Sequence, residues 1–180
     1  MRGVVLVTGV MAAGKSTVAQ ALAESLPRAA HVRGDVFRRM IVSGREEYEP
    51  GADGDTDGEA AAQLLLRYRL SAATADAYAE AGFTAVVQDV VLGEQLASYV
   101  DLVRTRPLYV VVLAPDAETI AARESERTKT GYGPAWTIPD LDDVLRTRTP
   151  RIGLWLDSSE LTVGETVEAI VAGRERARVS

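Results

Sequence analysis

Near the amino terminus, Gly9-Val10-Met11-Ala12-Ala13-Gly14-Lys15-Ser16 sets a glycine, four residues, and then Gly-Lys-Ser. This order of residue types suits the binding of a polyphosphate. Glycines let successive backbone N–H groups turn inward as a nest for anions. A helix starting at the second glycine adds the positive end of its dipole. Lys15 then reaches the β- and γ-phosphates, and the Ser16 hydroxyl suits Mg²⁺, with Thr17 closing the segment. Lys15 and Lys129 are the only lysines among 20 basic residues. A compact ammonium at this one position fits the need for a point charge at the phosphates. The chain contains no asparagine, so the Asn-Lys-x-Asp reader of guanine is excluded.

A second constellation follows the loop. Asp35, in Arg33-Gly34-Asp35-Val36-Phe37-Arg38, comes just after a second apolar run. Ligands of a parallel sheet bind beyond the carboxyl ends of its strands, which puts this carboxylate near the γ-phosphate. There it can take the proton of an attacking hydroxyl as a catalytic base. The same aspartate also suits a helix N-cap, and the two roles are compatible. Arg38, one turn on, suits a polar or anionic group of the acceptor, or else a solvated helix face. Asp89 ends the run Thr-Ala-Val-Val-Gln-Asp. It can hold Mg²⁺ through water, bond to the acceptor hydroxyl, or cap the strand end.

Arg123 and Arg127 are four apart, on one face of a helix. Two guanidinium groups at a nucleotide can divide the work, one stacking on the base and the other meeting phosphate charge. Glu124 and Glu126 offer ordinary surface pairing instead. Residues 128–139, with Gly131, Tyr132, Gly133, Pro134 and Trp136, read as a lid that shuts water out.

Alternating strands and helices must position these groups. Apolar, β-branched runs at 3–8, 29–32, 84–88, 108–113 and 152–156 read as buried strands. Helices are expected at 15–26, from Asp35 to about 42, at 59–81 ended by Gly82, at 93–104, 116–127 and 140–147, and from Val163. Residues 43–57 read as a loop. The pattern is an α/β fold: one five-stranded parallel sheet with helices on both faces, spanning residues 1–180 as a single domain with a short lid.

Composition narrows the function classes. With 180 residues, 47% hydrophobic and 26% charged, the chain has the makeup of a globular domain. A net charge of −6 argues against a surface that coats nucleic acid. Without cysteine there is no disulfide, thiolate metal site or cysteine nucleophile, and the single histidine, His31, rules out a multi-histidine metal site. No apolar run reaches membrane-spanning length, and the start lacks a signal-peptide pattern, so a cytoplasmic location is expected. Asp53-x-Asp55-x-Asp57-Gly58 opens like a calcium loop, but its twelfth position is Leu64 rather than glutamate. Arg174, Arg176 and Arg178 read as a solvated helix end.

These residues resemble the small phosphotransferases of the nucleoside-monophosphate-kinase-like P-loop fold, chloramphenicol phosphotransferase among them. The likeness rests on the Gly-x-x-x-Ala-Gly-Lys-Ser loop, on Asp35, on Asp89-Val90-Val91-Leu92-Gly93, on Arg123-Glu124-Ser125-Glu126-Arg127 and on an aspartate after the fifth strand. It implies ATP as donor, Mg²⁺, and a small-molecule hydroxyl as acceptor. It implies Asp35 as base, Arg123 stacked on adenine and Arg127 on phosphate. Residues 36–80, where the likeness puts the acceptor pocket, depart from the pattern, so the likeness carries the reaction and not the drug. A monomer or weak homodimer is expected, with no nucleic-acid or membrane partner. Two other readings stand beside this one: a nucleotide-hydrolysing module that acts through a partner protein, and a sugar-nucleotide kinase of the zeta-toxin kind.

Overall fold

In the computed structural model, residues 1–46, 58–126, 132 and 137–179 are described. The two most apolar runs form the sheet centre. Strands β1 (Val4–Gly9) and β4 (Leu108–Leu113) are buried along their whole length and pair in parallel. On the other side of β1 lies β3 (Thr84–Gln88), equally buried. Strand β2 (Ala29–Arg33) takes one edge and β5 (Leu154–Leu156) the other, giving the parallel order β2-β3-β1-β4-β5. Such runs, apolar on both faces, belong where helices cover both sides.

The expected count of five strands needs correction. A sixth, β6 (Arg178–Val179), lies antiparallel to β4 at Leu108 and Tyr109. It uses the stretch of β4 that the short β5 leaves unpaired, since β5 pairs only from Val111 on. The basic tail is thus divided between α8 (Arg174–Ala177) and this strand.

The helices fall into two groups. Helix α1 (Lys15–Ser25) packs on α7 (Val163–Ala172), whereas α3 (Glu59–Glu80) packs on α2 (Gly34–Arg39) and α4 (Gln95–Leu102). Both α1 and α3 lie against β3. Helix α5 (Ala117–Ser125) starts where Asp116 accepts the Thr119 N–H at 2.7 Å. Helix α6 (Ile138–Asp143) opens two residues earlier than expected, because Thr137 and Asp140 form a reciprocal capping box. It then runs into a five-residue π-helical turn, Val144–Arg148. Among the described residues, no helix is long and apolar enough to cross a membrane.

Every strand from β1 to β5 delivers its carboxyl end to the same edge of the sheet. There the chain turns into Val10, Gly34, Asp89, Ala114 and Asp157 in turn. The Gly9–Thr17 loop, Asp35 and Asp89 are therefore brought to one edge by topology, from segments far apart in sequence.

Candidate active site

The phosphate loop leaves β1 at Gly9, whose φ is +144°. A side chain at Gly9 would overlap the Leu113 carbonyl of β4, so glycine is required by proximity as well as by φ. Ala12 follows at φ +60°, a left-handed conformation that costs an alanine on the order of 1 kcal/mol. Gly14, at φ +88°, then starts α1. No side chain caps α1 and no acidic residue stands in its first turn, which leaves that dipole end suited to an anion. Lys15 is buried, and its Nζ donates to the Val10 carbonyl at 2.6 Å. The ammonium is thus folded back over the loop it serves. Ser16 and Thr17 are exposed. They line an open groove of about 390 Å³ with Gln20, Ala21, Glu24, His31 and Arg33.

Asp35 lies inside the first turn of α2. The cap position belongs to Arg33, which makes no side-chain cap bond, so the expected N-cap role of Asp35 is not what the structure shows. Its Oδ2 is 2.8 Å from Arg39 Nη2, one turn along the helix, and its Oδ1 is 4.0 Å from Arg33 Nε. Oδ1 is shielded from water and accepts no hydrogen bond. The side chain as a whole is 41% exposed, so the carboxylate stays within reach of a bound acceptor and can take its proton. Arg38 is partly buried nearby. Burial and Arg45 push it below the usual guanidinium range, with Asp35 opposing.

Asp89 is fully buried and held by a residue that the sequence reading passed over. Arg67 of α3 grips the carboxylate as a fork, its Nε donating to Oδ2 at 2.9 Å and its Nη2 donating to Oδ1. The Val90 N–H adds a third bond to Oδ1 at 2.7 Å. Burial lowers the Arg67 pKa, and Tyr68 and Asp35 oppose that shift. One residue along, Tyr68 Oη donates to the Val90 carbonyl at 2.8 Å, so α3 is fastened twice to the segment after β3. Gly34 is buried beneath this pair, and a Cβ there would fall well inside contact with Asp89 Oδ2. Arg67 sits in an apolar helical run. The available signal was its i,i+4 spacing from Gln63, which turns toward the Gly44 and Glu46 backbone.

On the other flank, Arg123 Nη2 donates to the Ser158 carbonyl at 3.0 Å. Its Nη1 lies 3.8 Å from where a Gly14 side chain would start. Arg123 therefore bridges the phosphate loop and the segment after β5. Ser159 ties that segment to α5, accepting the Asp116 N–H at 2.8 Å and donating to Asp157 at 2.6 Å. From the expected lid, Tyr132 donates to the Met11 carbonyl at 2.8 Å. Arg127 and the lid residues 128–131 and 133–136 lie outside the described residues, as does most of the acidic loop after Glu46.

A family model described as an AAA domain matches residues 4–149. No curated protein matches the chain. Among solved structures, it is similar to a sugar kinase from Janibacter sp. HTCC2649, at 20% identity and TM-score 0.69, covering 98% of this chain and 96% of that one. It is similar to a gluconokinase from Sinorhizobium meliloti 1021, at 20% identity and TM-score 0.62, covering 98% and 94%. It is also similar to the Mycobacterium tuberculosis APS kinase in complex with AMPPNP and APS, at 17% identity and TM-score 0.65, covering 97% and 98%. At these identities the shared property is the P-loop kinase-like fold.

Proposed function

The chain belongs to the AAA domain family, and from that premise we propose that it is an ATP-dependent kinase that phosphorylates a hydroxyl group of a small molecule. One observation carries this reading beyond nucleotide binding: the Asp35 carboxylate, partly open to solvent and flanked by Arg33 and Arg39, follows β2 at the sheet edge that also carries the phosphate loop.

In the proposed reaction, the loop from Gly9 to Thr17 holds the ATP phosphates through backbone N–H groups and Lys15. Arg123 stacks on the adenine, and Arg127 meets charge on the transferring phosphoryl group. Asp35 takes the proton of the acceptor hydroxyl as its oxygen bonds to the γ-phosphorus. The bond from that phosphorus to the β-γ bridging oxygen breaks, and ADP leaves. The exposed Ser16 hydroxyl is a hard oxygen donor of the kind Mg²⁺ prefers. When bound, Mg²⁺ supplies charge neutralisation at the phosphates. Arg38, partly buried beside Asp35, binds a polar group of the acceptor. The sugar kinase and gluconokinase among the neighbours make polyols and hydroxy acids the first acceptors to try, ahead of drug-like alcohols such as chloramphenicol. We place this activity in the cytoplasm, carried out by a monomer or weak homodimer.

The test is transfer of labelled γ-phosphate from ATP across a panel of polyols, hydroxy acids and drug-like alcohols, with Lys15→Met as control. Acceptor-dependent ADP formation that Lys15→Met lowers by several orders of magnitude, with unchanged melting, is expected. ATP binding with no transfer to any acceptor class would favour the regulatory-module reading.

A further inference from the structure

We propose that Asp89 is a positioning residue that holds a cation of the chain itself, the Arg67 guanidinium, and that the nucleotide's divalent cation is taken from the phosphate-loop side by Ser16. This rests on the reading that the phosphate loop binds a Mg²⁺-nucleotide.

A strand-end carboxylate beside a phosphate loop holds a hydrated cation by accepting hydrogen bonds from its water shell. Asp89 has little left to offer for that purpose. Its Oδ1 already accepts two N–H donors, from Arg67 and Val90, and its Oδ2 accepts Arg67 Nε. The carboxylate is fully buried, and Gly34 passes so close that a Cβ there would overlap Oδ2. The planar guanidinium matches the carboxylate on two bonds, the pairing for which arginine surpasses lysine.

Surrounding contacts keep Arg67 in place. Tyr68 bonds to Val90 and meets the Tyr99 ring edge-on at 5.7 Å, while Ser71 and Tyr99 share a hydrogen bond of 2.9 Å. This side of α3 is fixed at three successive points along the strand-end segment and α4. Asp35 and Asp89 follow the ends of adjacent parallel strands, β2 and β3, and Arg67 of α3 feels the charge of Asp35 while it grips Asp89. The Arg67 guanidinium locked on Asp89 thus leaves a fixed positive charge beside Asp35. A mobile metal ion at Asp89 would have to displace Arg67 from a buried bidentate pair.

The experiment is calorimetric titration of the full chain with AMPPNP, with and without Mg²⁺, alongside melting temperatures. Wild type, Ser16→Ala, Asp89→Asn and the apolar exchange Arg67→Met with Asp89→Leu are compared. The gain in AMPPNP affinity on adding Mg²⁺ is expected to shrink tenfold or more in Ser16→Ala. It should stay within about twofold of wild type in both Asp89 variants, even where melting falls. The double exchange replaces both charges at once, so the test stands if Asp89→Asn proves too unstable to titrate. Loss of the Mg²⁺ gain in either folded Asp89 variant, to the extent seen in Ser16→Ala, would overturn the assignment and return Asp89 to the metal. Failure of wild type to bind AMPPNP at all would instead overturn the nucleotide reading, and this assignment with it.

Discussion

Asp35 and Arg123 carry the sharpest consequences at the scale of single residues. Asp35→Asn keeps shape and reach but cannot accept a proton. Its ion pairs with Arg33 and Arg39 lie on the surface, where such pairs contribute little. Transfer to the acceptor should therefore fall by about 10²–10⁴-fold, with melting and ATP affinity nearly unchanged. Parallel assays of rate, nucleotide titration and melting on one sample check this. An unchanged rate would remove Asp35 from the chemistry. Arg123→Ala is expected to raise the KM for ATP with little effect on kcat. Stacking on a base contributes equally in ground and transition states. A fall in kcat at constant KM would place Arg123 on the transferring phosphate instead.

The junctions where strands hand over to helices decide whether these residues meet. Between β2 and α2 the chain passes so close to Asp89 that only glycine fits at position 34. Gly34→Ala should destabilise the protein by about 1–3 kcal/mol, because a methyl group must push the Asp89–Arg67 pair apart or displace the start of α2. The backbone angles of Gly34 are not left-handed, so the effect is one of space and not of strain. Denaturant unfolding measures it. Gly164 is the contrast, since a Cβ there meets nothing and Gly164→Ala should cost little. Equal loss in the two variants would mean that the pressure on Asp89 does not matter.

Across the whole molecule, titratable groups set how folding responds to acid. Asp116, Asp140, Asp157 and Glu165 all sit below the usual carboxylate range, because each accepts hydrogen bonds from a nearby Thr or Ser: Thr119, Thr137, Ser159 and Thr162. A carboxylate lowered in the folded state favours folding above its unfolded pKa and loses that contribution as pH falls toward its folded value. Melting should therefore drop below about pH 4. His31 adds an earlier step. Burial first, and then Arg33, lowers its pKa, while Asp35 opposes. The unfolded chain takes up that proton near pH 6.5 and the folded chain only at lower pH, so stability declines from about pH 6.5 downward. Melting curves of wild type and His31→Gln between pH 3 and 8 separate the two steps. The substitution should abolish the upper step and leave the lower one. An unchanged upper step would clear His31.

Much of this protein was legible in its sequence because the relevant physics is local. An unbroken β-branched run is buried on both faces wherever it lies, so β1, β3 and β4 could be placed within a residue or so. Glycine at fixed spacing before Lys15 dictates a phosphate nest regardless of the rest of the chain, and the turn has the expected backbone. Asp35 and Asp89 could be assigned to one edge because parallel strands carry their carboxyl ends to the same side. What the sequence could not provide was partnership across long separations. Arg67 and Asp89 are 22 residues apart, and nothing local links a helical arginine to a strand-end aspartate. Arg123 reaching Ser158, and β6 returning to β4, are likewise decided only when distant segments pack. The cap position of α2 passed from Asp35 to Arg33 because the helix starts at Gly34, pressed against Asp89. Residue type and spacing marked which groups suit the proposed chemistry, while tertiary packing decided which of them are already committed to one another.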